Sequence, residues 1–514
     1  MSEPEISWSG WGDPAKAAPL PEKITALLRD LLGVKPRETP PVALADIVPP
    51  APRLTPAALA ALADVAEVRT DAESRVRHTG GKSTPDLLAI RRGDTTHTPD
   101  AVVLPADHNA VVRVLELATA HRFAVVPFGG GTSVVGGLAP DASGFDGFVA
   151  LDLRRLNRLL AVDPVSRTAT FEPGVRGPRA EELLAGHGFT LGHFPQSFEW
   201  ATIGGFAAAR SSGQSSAGYG RFDELVVALT VATPTGTLTL GRAQKSAAGP
   251  DLRQLVLGSE GAFGVITSVT VRVRPVPEAK TYEGWTFPDF ATGSAALRRI
   301  IQDGPVPTVL RLSDETETLV NLAQSGAIGD GGASGCLAIV GFEGEEREAA
   351  ERRVRVREIL AESGGTSVGT APGEGWAHGR FAAPYLRDSL LDVGAFVETL
   401  ETTTFWSAIP ALYEAVRDAL PGHVVMCHIS HVYASSASLY FTIVTPAIDW
   451  DTAKPAVNAA IIGAGGSISH HHGVGTDHRA AFAEEIGPLG VEILRAVKER
   501  LDPAGILNPG VLVP

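Results

Sequence analysis

Cysteine is scarce in this sequence: there are two among 514 residues, Cys336 and Cys427. Two cysteines cannot form a disulfide framework, and this usage fits a reducing compartment. Apolar runs long enough to cross a membrane, roughly 18 residues without charge, are also lacking. The acidic N-terminus has no apolar segment of the signal-peptide type. These absences predict a cytoplasmic protein with no transmembrane segment.

Positive charge is in deficit as well, because the formal net charge is -14. Nucleic acids and anionic membranes bind basic surfaces, so no nucleic-acid partner is expected. Local arginine clusters can still hold an anionic substrate. The chain is otherwise ordinary for a globular protein, with 44% hydrophobic and 20% charged residues, and its length predicts two or more domains with ample core.

The first hundred residues are rich in proline and alanine. Residues 21–32 and 56–65 are expected to form short helices with proline near the first turn, as part of a wrap rather than a catalytic unit. Gly81-Lys82-Ser83 resembles the end of a phosphate-binding P-loop. Val76 stands where that motif needs glycine, so the sequence does not predict a P-loop.

A glycine-rich loop follows a predicted buried strand. Residues 101–104 and 124–126 are expected to be strands, joined by a helix that Asp107 caps and whose apolar stripe is Val111, Val114, Leu115 and Ala118. The second strand runs into Pro127-Phe128-Gly129-Gly130-Gly131-Thr132-Ser133. Glycines allow successive N–H groups to point into one concavity, which suits a phosphate or diphosphate. We expect Gly130 to need positive φ, and a side chain there to crowd the phosphate.

Two further loops of small and hydroxyl-bearing residues lie at the edges of predicted strands. One spans residues 195–205 and continues to Arg210-Ser211-Ser212-Gly213, and the other spans residues 258–264 before an alternating strand at 265–273. Three such loops favour a large flat ligand held by backbone atoms.

Three consecutive imidazoles, His470, His471 and His472, lie between small residues near the C-terminus. Histidine titrates closest to neutral pH, so this run indicates proton chemistry or ligand binding. The alternative is a set of structural or surface histidines. A tag is not expected, because the run is internal.

These segments resemble the FAD-binding superfamily of vanillyl-alcohol oxidase and p-cresol methylhydroxylase. The resemblance rests on the three loops and on the closing Leu501-Asp502-Pro503 and Asn508-Pro509-Gly510. Within the superfamily the chain is most similar to the alkyldihydroxyacetonephosphate synthase family. That similarity rests on Trp8-Ser9-Gly10-Trp11-Gly12, Tyr385-Leu386-Arg387-Asp388, Leu439-Tyr440-Phe441 and the histidine run.

The resemblance implies an α+β fold with a two-part FAD-binding domain of the p-cresol methylhydroxylase type, an α+β cap and helical terminal segments. The expected division is an N-terminal segment at 1–97, an FAD-binding domain at 98–277, a cap at 278–462 and a C-terminal return at 463–514. It also implies a set of FAD contacts: Pro127, Phe128, Gly129, Gly130, Gly131, Thr132, Ser133, Gln196, Ser197, Phe198, Glu199, Trp200, Ala201, Thr202, Ala209, Arg210, Ser211, Ser212, Glu260, Gly261, Ala262, Phe263, Gly264, Val265 and Ile266. Some relatives attach the flavin through a histidine in the first loop; Thr132 at that place predicts non-covalent FAD.

Carried over by position, Arg387 is the expected ligand of a substrate phosphate, with a salt bridge to Asp388 as the alternative. Tyr440 is the expected proton donor and acceptor, and His470, His471 and His472 the catalytic histidines. Arg311 is expected to be needed for activity. Since it stands among aliphatic residues, it should also have an anionic partner.

The implied reaction is ether-lipid synthesis, in which a fatty alcohol replaces the acyl group of acyl-dihydroxyacetone phosphate through a flavin N5 adduct. The alternative is an FAD-linked dehydrogenase or oxidase of a 2-hydroxy acid or alcohol, and a third is a non-catalytic FAD-binding protein. Many hydroxy-acid enzymes bind a divalent metal through two histidines and a glutamate. Tyr440 and His471 replace two of these ligands, so no metal is expected. His428, His431 and His471 remain a chance zinc set.

The expected partner is therefore a small-molecule or lipid-like phosphorylated substrate. Peripheral membrane contact and a homodimer are both compatible with the sequence.

Overall fold

The computed structural model describes residues 5–17, 19–20, 22, 25–26, 29, 39–324 and 335–514. The helix expected at residues 21–32 lies mostly outside these ranges. The N-terminal part contains 3-10 turns at Pro14–Lys16 and Leu44–Asp46 and helices at Pro56–Ala63, Ala72–Arg77 and Thr84–Arg91. Thr55, Asp71 and Ser83 immediately precede these three helices. The side chain of each accepts a backbone N–H of the first turn of its helix. The expected helix at 56–65 is confirmed and ends two residues earlier.

A four-stranded sheet forms the first part of the body, in the order Glu67–Arg69, Ala101–Leu104, Phe148–Asp152, Ala124–Phe128. The last three strands are parallel. The crossover helix His108–His121 begins at Asp107, as predicted, and buries the predicted stripe of Val111, Val114, Leu115 and Ala118. Leu507 pairs with Val125, so the C-terminus joins this sheet.

A five-stranded antiparallel sheet follows, in the order Leu159–Asp163, Thr168–Phe171, Val265–Arg272, Val226–Thr233, Gly236–Leu240. A small pair, Phe189–Thr190 with Arg274–Pro275, lies beside it. The associated helices are Leu153–Arg155 (3-10), Gly177–Ala185, Ile203–Ala208, Ser216–Tyr219, Phe222–Leu225 and Arg253–Val256. The stretch at 195–205 was expected to be all loop, but a helix begins near its end. The Thr202 side chain caps this helix by accepting the N–H of Gly205.

A seven-stranded antiparallel sheet dominates the region expected to be the cap. Its order is Thr366–Ser367, Ala279–Phe287, Cys336–Gly344, Val309–Ser313, Val424–Val432, Ser436–Thr445, Phe396–Phe405. Its helices are Phe290–Asp303, Glu315–Gln324, Glu346–Glu362, Ala371–Gly379, Ala383–Asp392, Trp406–Ala408 (3-10), Ile409–Asp418 and Trp450–Gly463. The sequence pattern of this region predicts strands at 308–312, 336–341, 423–431 and 438–444 and a helix at 345–363. The structure confirms each of them within a few residues. This mixture of helices and largely antiparallel sheets gives the expected α+β class.

The chain returns to the first sheet through helix Arg479–Leu501, which is interrupted at Gly487, where φ is 70°. Asp502 directly follows this helix in the chain. Its carboxylate is fully buried and accepts the N–H groups of Ile506 and Leu507. Lys498 Nζ lies 2.7 Å from the same carboxylate. This ion pair fixes the turn that delivers Leu507 to the sheet. Among the described residues, no helix combines the length and apolar character that spanning a bilayer requires.

We expect Asp502→Ala to destabilise the protein by about 3 kcal/mol or more, because it leaves the Lys498 ammonium without its counter-charge and two buried N–H groups without an acceptor. The measurement is the denaturant midpoint of unfolding, with Glu499→Ala, an exposed change on the same helix, as the control. Equal midpoints for the two variants would contradict this role of Asp502.

Candidate active site

A cavity of about 1140 Å³ lies between the loops of the first two sheets and the seven-stranded sheet. Most of the residues expected to bind FAD line it: Pro127, Phe128, Gly129, Gly130, Gly131, Thr132, Ser133, Gln196, Ser197, Ala201, Thr202, Ala209, Ser211, Ser212, Glu260, Gly261, Gly264 and Ile266. Three segments far apart in the chain thus line the same cavity.

The first glycine-rich loop is shaped by close packing against the second. A Cβ on Gly129 would lie 2.6 Å from Thr202 Oγ1, and one on Gly130 would lie 2.1 Å from the Trp200 carbonyl oxygen. Positive φ occurs at Gly131, at 68°, and not at Gly130. The expectation of positive φ at Gly130 is therefore wrong. That position requires glycine because another backbone lies against it.

The loop also fits the diphosphate of FAD. Among the described residues, no group accepts a backbone N–H from residues 129–133. Buried backbone donors are rarely left without a partner, so a row of five free N–H groups on a cavity wall is a site for an anion. The buried Nε2 of Gln196 likewise has no partner within the described part of the chain, which supports a polar ligand at the second loop.

Seven residues expected to contact FAD do not line the cavity: Phe198, Glu199, Trp200, Arg210, Ala262, Phe263 and Val265. Their side chains are used elsewhere. Glu199 pairs with Lys16 at 2.6 Å, and the guanidinium of Arg210 donates to the Leu257 carbonyl at 2.8 Å. The aromatic and aliphatic members pack against other parts of the protein, as Phe198 does against the ring of Phe381. Loop position did not distinguish the side chains that face a ligand from those that support the loop.

Glu260 joins the third loop to the segment that carries the histidine run. Its half-buried carboxylate accepts the N–H groups of Val474 and Gly475 at 2.9 Å each. Burial raises the pKa of Glu260 to about 7, against these hydrogen bonds, which lower it. Glu260 has φ of 49°, a left-handed conformation uncommon outside glycine.

The histidine run is built around a second carboxylate, the buried Glu401, on strand Phe396–Phe405. Glu401 accepts the backbone N–H groups of His470, His471 and His472 at 2.7–3.0 Å. It also accepts the hydroxyl of Ser469 at 2.6 Å. Burial alone would raise its pKa, but His471, whose Nδ1 lies 3.4 Å from the carboxylate, holds the pKa of Glu401 well below its usual range. Glu401 was not among the residues expected from the sequence, although a glutamate among buried strand residues is an available signal.

His471 and His472 line the cavity, whereas His470 does not. Its ring is buried behind them, with Nε2 2.7 Å from the Tyr433 hydroxyl and Nδ1 3.0 Å from His471 Nδ1. Of the three residues expected to be catalytic, His471 and His472 thus face the cavity, whereas the ring of His470 packs inward. Burial lowers the pKa of His472 to about 3 and that of His470 well below its usual value.

Tyr440, the expected proton carrier, stacks on His428 with ring centres 4.9 Å apart. Its centroid lies 5.6 Å from that of His472 and 6.4 Å from that of His471. Burial raises the pKa of Tyr440 to about 12, so its phenol is protonated at neutral pH.

Arg311 has the anionic partner that its apolar surroundings predicted. Its Nη2 lies 3.0 Å from Glu317 Oε1, and His428 Nδ1 lies 2.8 Å from the other oxygen of this carboxylate. Burial would raise the pKa of Glu317, but His428 and Arg311 together lower it to about 2. Glu317 was missed by sequence analysis, because a helical glutamate is more often a solvated residue.

Arg387 lines the cavity and also forms the alternative salt bridge. It contacts Asp388 at 3.1 Å and donates to the Lys82 carbonyl at 2.6 Å. Asp388 in turn accepts the N–H of Trp11, and Lys82 Nζ donates to the Ser7 carbonyl at 2.6 Å. Lys82 thus holds the N-terminal segment rather than a phosphate. This agrees with the sequence, which does not predict a P-loop here.

An apolar arm extends the cavity along helix Ala383–Asp392 and the seven-stranded sheet. Its walls include Leu319, Val320, Leu386, Leu390, Val397, Val424, Met426 and Val444. This arm can bury an alkyl chain.

Nitrogen atoms of His431, His470 and His471 lie within 4.8 Å of one another. The set differs from the chance zinc set named from sequence, since His470 replaces His428. Each of the three rings has a polar neighbour: Ser216 Oγ is 2.7 Å from His431 Nδ1, the Tyr433 hydroxyl is near His470, and Glu401 is 3.4 Å from His471.

Comparisons with known proteins show the family to which the chain belongs. The family model for an FAD binding domain matches residues 99–241, and that for the C-terminal domain of FAD linked oxidases matches residues 276–512. The alkyldihydroxyacetonephosphate synthase of Dictyostelium discoideum is 33% identical over 99% of this chain and 94% of that protein. A solved alkyldihydroxyacetonephosphate synthase structure has a TM-score of 0.83 at 31% identity, covering 98% of this chain and 99% of that one.

p-Cresol methylhydroxylase has a TM-score of 0.69 at 15% identity, covering 90% of this chain and 98% of that one, which shows a shared fold. By identity and coverage, the chain belongs to the alkyldihydroxyacetonephosphate synthase family of FAD-dependent enzymes.

Proposed function

We propose that this enzyme exchanges the acyl group of an acyl-dihydroxyacetone phosphate for a fatty alcohol, giving an ether lipid precursor. The observation that carries the proposal is one cavity in which the FAD loops, a phenol–imidazole group and an apolar arm meet. A small 2-hydroxy acid has no long apolar part to bury in the apolar arm. A fatty acyl chain does, so the arm favours an acyl substrate.

The FAD is proposed to lie against residues 129–133, whose free N–H groups suit its diphosphate, and against Gln196. Bound FAD supplies an electron-accepting ring that can hold a substrate carbon without net oxidation. The chain supplies the remaining requirements: it binds the phosphate, encloses the alkyl chain and moves protons.

Proton transfer is proposed to involve Tyr440, with His471 and His472. The phenol is protonated at neutral pH and can donate, and the neutral imidazole of His472 can accept. A carbonyl next to the reacting carbon acidifies the proton to be removed. Arg311 is proposed to act as a positioning residue, because it holds Glu317, which holds the His428 ring against Tyr440.

Phosphate binding is proposed for Arg387. Its hydrogen bonds to Asp388 and Lys82 leave part of the guanidinium fork free on the cavity wall. The same bonds hold the side chain in one orientation, which suits recognition of a phosphate.

Three further expectations from the sequence are retained as proposals. The first is the division into segments at 1–97, 98–277, 278–462 and 463–514, which is supported by the change from the first two sheets to the seven-stranded sheet at Ala279. The second is a cytoplasmic location, supported by two free, buried cysteines. The third is a homodimer with peripheral membrane contact.

We expect Tyr440→Phe to lower kcat for the acyl-to-alkyl exchange by about 100-fold or more, because it removes the proton that the phenol carries. The bound FAD content should not change. The assay follows a labelled fatty alcohol into the ether product. Tyr413→Phe is the control, since it removes a half-buried phenol that bonds Asp314 in the cap core. Wild-type kcat in Tyr440→Phe would remove the phenol from the mechanism.

We also expect the FAD to be bound without a covalent link, because Thr132 offers no imidazole at the attachment position. Acid precipitation should release the yellow colour into the supernatant. Colour that stays with the pellet would show a covalent bond and would refute the expectation.

A further inference from the structure

Three arginine side chains line the cavity: Arg311, Arg380 and Arg387. Arg311 is paired with Glu317, and Arg387 with Asp388. Among the described residues, the guanidinium of Arg380 has neither an ion-pair partner nor a hydrogen-bond acceptor. Arg380 is half-buried, and an unpaired cation that is partly withdrawn from water is costly unless a ligand supplies the counter-charge.

Aromatic rings hold Arg380 in place. Its guanidinium carbon lies 4.6 Å from the ring centre of Phe194, 5.0 Å from that of Phe381 and 5.8 Å from that of Trp376. Cation–π contacts orient a guanidinium while leaving its five N–H donors free. The carboxylate of Glu343, which acts on Arg380 at longer range, already accepts the hydroxyls of Tyr219 and Tyr282.

Unpaired polar atoms lie on residues that contact Arg380 or one another. Trp376 Nε1 and Gln196 Nε2 are buried donors, and Gln214 Oε1 is a buried acceptor; none has a partner within the described part of the chain. The Gln214 amide ties the group together, because its Nε2 donates to the Arg380 carbonyl at 3.0 Å and to Gln196 Oε1 at 3.3 Å. Buried polar groups are normally satisfied, so this group calls for a polar ligand.

We propose that Arg380, with Trp376 and Gln196, forms a second oxyanion subsite of the cavity, which holds a phosphate or a carboxylate of the substrate or product. The free N–H groups of residues 129–133 already provide for the FAD diphosphate, so the charge at Arg380 is available to a second ligand. The unpaired Gln214 oxygen suits a hydroxyl or other donor on the same ligand. In the exchange reaction, which this proposal extends, the candidates are the substrate phosphate and the carboxylate of the released fatty acid.

The test titrates the FAD-loaded protein and follows the visible absorbance of the flavin. Dihydroxyacetone phosphate probes a phosphate, decanoate probes a carboxylate, and decanol is a neutral ligand with the same chain length. Arg380→Gln is compared with Arg380→Lys, which keeps the charge but loses the fork. Arg347→Gln, at a side chain that is 84% exposed on another helix, is the matched control.

We expect Arg380→Gln to raise the Kd of one of the two anions by about 10-fold or more, with decanol within about twofold of wild type. The anion that responds identifies the source of the oxyanion. Arg380→Lys should recover part of the affinity, and Arg347→Gln should change none of the three values. Binding requires no turnover, so this result stands or falls separately from the proposed exchange activity.

Three results would overturn the subsite. The first is that both anions bind Arg380→Gln within about twofold of wild type, or bind wild type no better than decanol. The second is that all three ligands weaken equally, which would show a packing effect. The third is that Arg380→Gln and Arg380→Lys both lose FAD while the anions still bind, which would assign Arg380 to the cofactor.

Discussion

Two carboxylates, the buried Glu401 and the half-buried Glu260, hold the C-terminal segment at 469–475 between the seven-stranded sheet and the glycine-rich loops, and the site depends on them. Glu401 accepts the three backbone N–H groups of the histidine run, and Glu260 accepts those of Val474 and Gly475. One carboxylate lies on a cap strand and the other in the third glycine-rich loop. Because hydrogen bonds to charged groups are stronger than neutral ones, this arrangement fixes His471 and His472 relative to the residues that would hold FAD.

The arginines of the cavity divide into two kinds. Arg311 and Arg387 are neutralised by neighbouring carboxylates and are held in defined orientations. Arg380 is held only by aromatic rings and keeps its charge for a ligand. Burial lowers the pKa of His470 and His472, so these two rings are neutral at pH 7. The protonated phenol of Tyr440 and a neutral imidazole suit proton exchange, while the unpaired charge of Arg380 suits an anionic substrate.

Many elements of the fold, and part of the candidate site, could be predicted from the sequence. Periodicity located the crossover helix, where Asp107 caps and Val111 and Val114 are buried, and the cap strands, because local patterns fix these elements. Motif positions found the three loops and Tyr440. The roles of Glu401 and Glu317 were not evident from the sequence, because they arise from contacts with residues 68–71 and 111 positions away. Nor could it separate His471 from His470, whose rings diverge although their positions are adjacent.

The central claim is that this FAD enzyme performs a group exchange without net oxidation. The most direct measurement is anaerobic mixing of the FAD-loaded protein with each candidate substrate while the visible absorbance of the flavin is followed. The account predicts that D-lactate and glycolate leave the flavin oxidised, and that a labelled fatty alcohol enters product from acyl-dihydroxyacetone phosphate. Full bleaching of the flavin by a 2-hydroxy acid, at a rate that supports turnover, would contradict the account.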